Sequence, residues 1–442
     1  MESKKRFGLP TAVAMIVGIC VGSGIFFKSD NILTATGGSV PLGVLVFLLA
    51  AAAIVFGGLA MGELAARTER PGGVFTYFEV FAGLRPACAF GWFQILIYYP
   101  TITVVVSYVV GVYTCILFGW PASLPLQVAI GMAFCALCFL YNVLWTRLGG
   151  AVQNLSTVVK LIPLALLGVG GLLFGDPLEG LRQVSLQDLA NTGWLAAVGP
   201  IAYSYDGWVV STSIAHEVSD ARRNLPRALV AGPLVILTIY LLYFVGISCY
   251  VGPQQVMALG DAHVSLAAAS LFGEGFAKAI TLFVIFSVMG TVNGLVMGYI
   301  RMPYSMALRP GMVPGSPLLR RLHPRLGVPV YSSLVCFALC LFWMAVHYVT
   351  TRYGLLPNSD VSEIAIAVSY LFYVRLYWQI YRMHRKGQIP GRWKGVWVPL
   401  LATCGAAIIL SGGLQNRLFF LYAALCLAVV LAALAYHRAK ER

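Results

Sequence analysis

The sequence predicts an all-α polytopic membrane protein of twelve transmembrane helices, the first and sixth of them broken near mid-depth. Composition carries the class: 59% of the 442 residues are hydrophobic and 10% are charged, where a soluble domain is about 25% charged. Patterning carries the count. Twelve apolar runs of spanning length fall at 9–27, 41–62, 87–118, 126–145, 152–174, 193–215, 228–251, 277–300, 328–348, 361–381, 396–412 and 418–436. The third observation is a defect that occurs twice. Gly22-Ser23-Gly24 interrupts the first run, and Tyr203-Ser204-Tyr205-Asp206-Gly207-Trp208 interrupts the sixth. Glycine is costly inside a helix. A broken helix in hydrocarbon leaves backbone N–H and C=O groups tolerated only where they line a cavity or meet a ligand.

The net charge of +14 would suggest nucleic acid on a soluble protein. Here it has a membrane reading. With the N-terminus inside, 24 of the 30 lysines and arginines fall at cytoplasmic ends. Only Lys28, Arg182, Arg352 and Arg417 lie outside, with Lys278 at an edge and Lys160 within a span. This positive-inside bias predicts a cell-membrane protein with both termini in the cytoplasm. It also places basic loops against anionic lipid head groups, and no nucleic acid partner is needed.

Taken in order, the first run lacks a small-residue cleavage site followed by a polar mature domain, so it does not read as a signal peptide. The second ends in Gly57-Gly58, Gly62 and Glu63, and then Pro71-Gly72-Gly73 marks a turn or short re-entrant segment. The third holds Tyr98-Tyr99-Pro100, where proline predicts a kink. The fourth carries Cys135-x-x-Cys138 without histidine or acidic neighbours, which reads as packing. No outer-loop cysteine is evident, so no disulfide is expected. The fifth holds Lys160 just before Pro163. The outer loop 175–191 is acidic, and the sixth run leads on to Thr212, Ser213, His216 and Glu217. The eighth carries Gly290-Thr291-Val292-Asn293-Gly294 and is followed by a proline-rich loop in which only short structure is expected. The last two runs read as plain, peripheral helices. Short loops make residues 1–442 one membrane domain: five helices over 9–174, five over 193–381, and the last pair over 396–436. The first and sixth runs are five apart and point in opposite directions, which suggests an inverted repeat.

Three constellations can carry chemistry. At Gly22-Ser23-Gly24, a second half-helix starting near Ile25 presents free N–H groups and a positive dipole end to a carboxylate. Ser23 adds a hydroxyl, and carbonyls near Cys20 can accept from an ammonium. The competing reading is packing, since Gly18-x-x-x-Gly22 is a small-xxx-small face. At Tyr203–Trp208 the carbonyls can supply a second acceptor set. Asp206 there either binds free backbone N–H groups and holds the break or meets a cationic side chain. Lys160 is the third: buried, its ammonium needs carbonyls or a carboxylate, and otherwise it snorkels to the edge. An ammonium here can stand where a sodium-coupled transporter holds Na⁺. A titratable one makes proton coupling the alternative. Asp206 is the only mid-membrane carboxylate expected, which favours neutral substrates of small to medium size. The scattered histidines form no HExxH motif, no Ser–His–Asp set and no haem pair, and Gly72-Gly73 lacks the residues of a phosphate loop. No catalytic residue, metal or cofactor is expected. An intramembrane enzyme lacks a catalytic pair, and a channel would show flux without saturation.

Gly22-Ser23-Gly24-Ile25-Phe26 resembles the first-helix signature of amino acid–polyamine–organocation (APC) transporters, and in particular the L-amino acid transporter (LAT) branch with its bacterial serine/threonine exchangers. Similar support comes from Gly91-Trp92-Phe93-Gln94, Thr157–Pro163, Tyr205-Asp206-Gly207-Trp208, Asn224–Ala228, Asn293-Gly294 with Arg301, and Ser362-Glu363-Ile364 leading to Tyr370–Tyr373. The resemblance implies a LeuT-like 5+5 inverted repeat with two extra helices, and Na⁺-independent exchange of amino acids. It implies a substrate site at Cys20, Gly22, Ser23, Gly24, Ile25, Tyr203, Ser204, Asp206 and Gly207. Tyr203 matches an aromatic gate that is often phenylalanine. Tyr98, Trp208 and Asn293 are expected to shape the pocket, and Lys160 matches the lysine that replaces sodium. Animal members pair with a heavy chain through a cysteine in the loop after the third span. Gly119–Leu126 has none, so no such partner is expected.

Overall fold

The computed structural model describes residues 8–68, 73–176, 192–209 and 218–441. Every described element is a helix. The ones that frame the site are α1 (Leu9–Cys20), α2 (Ser23–Ala35), α3 (Val40–Ala65), α4 (Leu84–Phe118), α5 (Leu124–Leu144), α6 (Thr146–Val159), α7 (Leu161–Phe174), α8 (Val198–Ser204), α9 (Ala221–Val251), α10 (Glu274–Ala307), α11 (Val330–Arg352), α12 (Glu363–Arg385), α13 (Val398–Leu414) and α14 (Phe419–Glu441). Among the described residues, eight helices are long and apolar enough to cross a membrane: α3, α4, α5, α9, α10, α11, α13 with the turn before it, and α14. The protein is therefore a multi-pass membrane protein. The other expected runs are the interrupted first, fifth and sixth and the more polar α12. The end of the sixth run with Thr212 and Ser213, and His216 and Glu217 after it, lie outside the described residues, as do Pro71 and Gly72.

Prolines set much of the local geometry. Pro100 follows a π-helical turn over Gln94–Tyr98, which takes up the missing N–H that was expected to kink the helix. Pro163 cannot donate to the Val159 carbonyl, and the fifth run divides at Lys160 into α6 and α7. Pro303 sits inside α10, which runs on to Ala307 where a loop was expected. The carbonyl it leaves free, Tyr299, accepts from the Cys336 thiol at 3.5 Å, and the next, Ile300, accepts from the Ser332 hydroxyl at 2.6 Å. A neighbouring helix has satisfied the backbone, as burial in lipid requires.

Small residues close the bundle. A Cβ on Gly58 of α3 would strike the Leu229 carbonyl of α9, freed by Pro233. A Cβ on Gly405 of α13 would lie 2.6 Å from the Ala53 Cα of α3. One on Gly412 would lie 2.7 Å from Val198 Cβ of α8. The run 396–412 is thus not peripheral as expected. It is packed directly on α3 and on the broken sixth span, and its glycines are the reason. Cys135 and Cys138 are buried in α5, in keeping with a packing role.

Candidate functional site

The two interruptions come together. The first span stops at Cys20, passes through Val21 and Gly22, and restarts at Ser23. Gly22 has no side-chain cap, so the first amides of α2, from Ser23, Gly24 and Ile25, begin a helix with open donors. The hydroxyl expected of Ser23 lies outside the described side chains. The sixth span ends its first half at Ser204 and turns through Tyr205, Asp206 and Gly207. Gly207 has φ +97°, a region that only glycine enters freely. A Cβ on Gly24 would lie 2.6 Å from Ser204 Cα, so the breaks touch backbone to backbone. A Cβ on Gly22 would strike the Thr291 hydroxyl of α10.

One side chain that the sequence left unnoticed joins the breaks. The Tyr240 hydroxyl of α9 reaches the Ser204 carbonyl at 2.6 Å and the Cys20 carbonyl at 3.0 Å. The Tyr203 carbonyl accepts the Asp206 amide at 3.0 Å. Tyr240 stands in an apolar helix where an aromatic residue carries no signal of its own. Lys160 is fully buried, and its ammonium donates to the Gly18 carbonyl of α1. It does not snorkel.

Asp206 accepts from the Tyr98 hydroxyl of α4 at 2.6 Å and from the Gly207 amide. Trp208 donates from its indole nitrogen to the Tyr370 hydroxyl at 3.2 Å, and Tyr373 meets both rings edge-on. Tyr98 and Trp208 therefore converge on the second break. Asn293 does not. Its amide accepts from Tyr141 and Asn142 at 2.9 and 2.8 Å, and donates to the Gly149 carbonyl and to Gln153 at 2.9 and 3.1 Å. All four partners lie on α5 and α6, so Asn293 ties α10 to them. Thr291, one half-turn away, is the α10 residue at the break.

A roof closes over one side of the junction. Lys28 of α2, which the sequence places in an outer loop, is 1% exposed. It pairs with Asp360 at 2.7 Å and with Glu363. Ser362 donates its amide and hydroxyl to Asp360 at 2.8 and 2.5 Å, and Ser359 donates to Glu363 at 2.8 Å. The ammonium also sits 4.9 Å from the Phe27 ring centroid and 5.0 Å from that of Tyr203. Asp206 is therefore not the only buried carboxylate near the junction. Asp360 and Glu363 are also buried, and their partner lies more than 330 residues away in the chain. Sequence spacing gives no sign of such a pair.

A bundle of apolar helices around two facing breaks, with a buried ammonium beside one of them, defines a class of membrane transporter. The chain matches the amino acid permease family over residues 7–433, and it belongs to that family, whose named relatives are transporters and not enzymes. It is 30% identical over 416 residues to the serine/threonine exchanger SteT of Bacillus subtilis (strain 168), covering 93% of this chain and 91% of that one. It is 29% identical to the human Asc-type amino acid transporter 1 over 92% of this chain and 81% of that one. It is 26% identical to the human cystine/glutamate transporter over 88% and 77%. The protein is an amino acid transporter of the APC superfamily with LAT-type relatives.

Proposed function

We propose that the protein is a Na⁺-independent exchanger of neutral L-amino acids, working by alternating access. The scaffold is twelve helices in a LeuT-like 5+5 inverted repeat with two additional helices, in the cell membrane with both termini cytoplasmic, and without a heavy-chain partner. The α-carboxylate binds the open amides at Ser23, Gly24 and Ile25. The α-ammonium binds the carbonyl ends at Cys20, Tyr203 and Asp206, and shares the Cys20 carbonyl with the Tyr240 hydroxyl. Tyr203 closes over the substrate from one side. Tyr98 and Trp208 line the side-chain pocket, and Asp206 holds the turn.

One observation carries the coupling: the Lys160 ammonium donates to the Gly18 carbonyl of the broken first helix. A fixed cation at that carbonyl does the structural work of a bound sodium ion and leaves no reason for an external one. The substrate class follows from Asp206, whose carboxylate is engaged by Tyr98 and Gly207. The identity to a serine/threonine exchanger supports exchange and directs the choice of substrates.

The test is counterflow in proteoliposomes preloaded with serine, threonine or alanine, with and without Na⁺. Saturable uptake driven by internal amino acid and indifferent to Na⁺ is expected. No counterflow, or counterflow only with Na⁺, overturns the reading. Net uptake into empty vesicles under an inward proton gradient would select proton coupling through Lys160 instead.

A further inference from the structure

A second feature lies at the charge-rich end of the bundle. The C-terminal turn of α3, the N-terminal turns of α9 and the turn Trp393–Trp397 before α13 enclose a cavity of about 680 Å³, lined by Glu63, Arg67, Arg223, Pro226, Arg227 and Lys394. Its floor is tight: a Cβ on Gly62 would lie 3.0 Å from Pro226 Cα. Four cations face one carboxylate. Glu63 is committed twice, to Arg67 at 2.9 Å and to Lys394 at 2.8 Å. Arg223 and Arg227 have no carboxylate partner among the described residues. Its described lining carries three positive charges in excess, and the two groups without a described carboxylate partner are guanidiniums, the side chains best shaped for bidentate contact with phosphate.

The surroundings say how the anion arrives. Trp393 and Trp397 are both more than half exposed, on the same turn as Lys394, and indole rings settle at the head-group level of a bilayer. Beyond them Leu400 on α13 and Leu234 and Val235 on α9 are exposed apolar side chains. Charge sits at the mouth and aliphatic surface continues along the same helices. Basic pockets between spanning helices at the cytoplasmic side suit anionic lipid.

We propose that this cavity is a binding site for the phosphate of an anionic phospholipid, with Arg223 and Arg227 as its principal ligands and Glu63 as the brace that holds Arg67 and Lys394 at its edge. The site joins α3, α9 and α13. α9 also carries Tyr240, which bonds both breaks, so an occupied site stiffens the wall of the candidate substrate site. The proposal needs neither the transport reading nor the direction of the chain, because binding is read without transport.

The test uses the full chain in neutral detergent and follows its melting temperature against phosphatidylglycerol, phosphatidylcholine and inorganic phosphate at matched concentrations. Phosphatidylglycerol is expected to raise the melting temperature, and the other two are not. Arg223→Gln with Arg227→Gln should weaken the phosphatidylglycerol effect about tenfold or more. Glu63→Gln, which leaves Arg67 and Lys394 without their carboxylate, should strengthen it. Arg320→Gln with Arg321→Gln, on an exposed turn elsewhere in the chain, should leave it unchanged. The proposal is overturned if the Arg223/Arg227 variant binds as the parent does, or if the Arg320/Arg321 variant loses as much. Inorganic phosphate giving the full effect would make the ligand a soluble anion, and phosphatidylcholine giving it would remove the role of charge. Both contradict the assignment.

Discussion

The two breaks are built differently. The break in the first span is bare backbone: two residues, no side-chain cap, and a glycine so close to Ser204 that no Cβ fits. The break in the sixth is a turn held by side chains, with Gly207 at positive φ, Asp206 bound to Tyr98 and Trp208 bound to Tyr370. The first break offers only backbone amides and carbonyls, which on the proposed function read the carboxylate and ammonium that every α-amino acid carries. The second is surrounded by tyrosine and tryptophan side chains. On the proposed function, this difference separates recognition of the amino acid backbone from shaping of the pocket around what varies.

Substitutions at each break test that division. Gly24→Ala should have the largest effect. Its Cβ meets main chain, which cannot rotate away, so overpacking of about 1–3 kcal/mol is expected. Counterflow should be lost for every substrate alike. A variant that keeps its rate for one amino acid and loses another would mean that this break also selects side chains.

Lys160→Ala comes next. It removes a charged hydrogen bond to Gly18, of the kind worth about 1.5–3 kcal/mol, so the exchange rate should fall about tenfold or more with the folded yield retained. A wild-type rate would remove the lysine from the mechanism, and rescue by Na⁺ would show the vacated place accepting a cation.

Tyr240→Phe should be smallest. It deletes one hydroxyl that serves both Cys20 and Ser204, at a cost of about 1–2 kcal/mol in thermal stability. The counterflow KM should move less than tenfold, by a similar factor for each substrate. A change confined to one substrate would place Tyr240 in the side-chain pocket.

How far each of these groups could be read from the chain follows from how it is placed. Glycine and polar residues inside an apolar run are costly, so both breaks announce themselves. Lys160 does too, because a lone charge in a span has few uses. Tyr240 does not, since the hydroxyl of one tyrosine among apolar neighbours gains meaning only when two carbonyls from other helices arrive beside it. The burial of Lys28 carries no such sign, because it lies at the end of its run and its carboxylates come from the far end of the chain. The packing of α13 was not read, since its run was expected to be peripheral. Gly405 and Gly412 mark close approach, but the partner helix cannot be read from them. Asn293 was expected to shape the pocket, and its amide instead bonds residues of α5 and α6 that spacing along the chain does not point to.

The central claim is that one pair of facing breaks reads both poles of an amino acid. The most direct measurement is competition of serine counterflow by L-alanine, by L-alaninamide, which lacks the carboxylate, and by propionate, which lacks the ammonium. L-Alanine should compete, and each analogue should be at least about tenfold weaker, since each leaves charge-assisted partners unmet. Inhibition by either analogue equal to that of L-alanine would contradict the account.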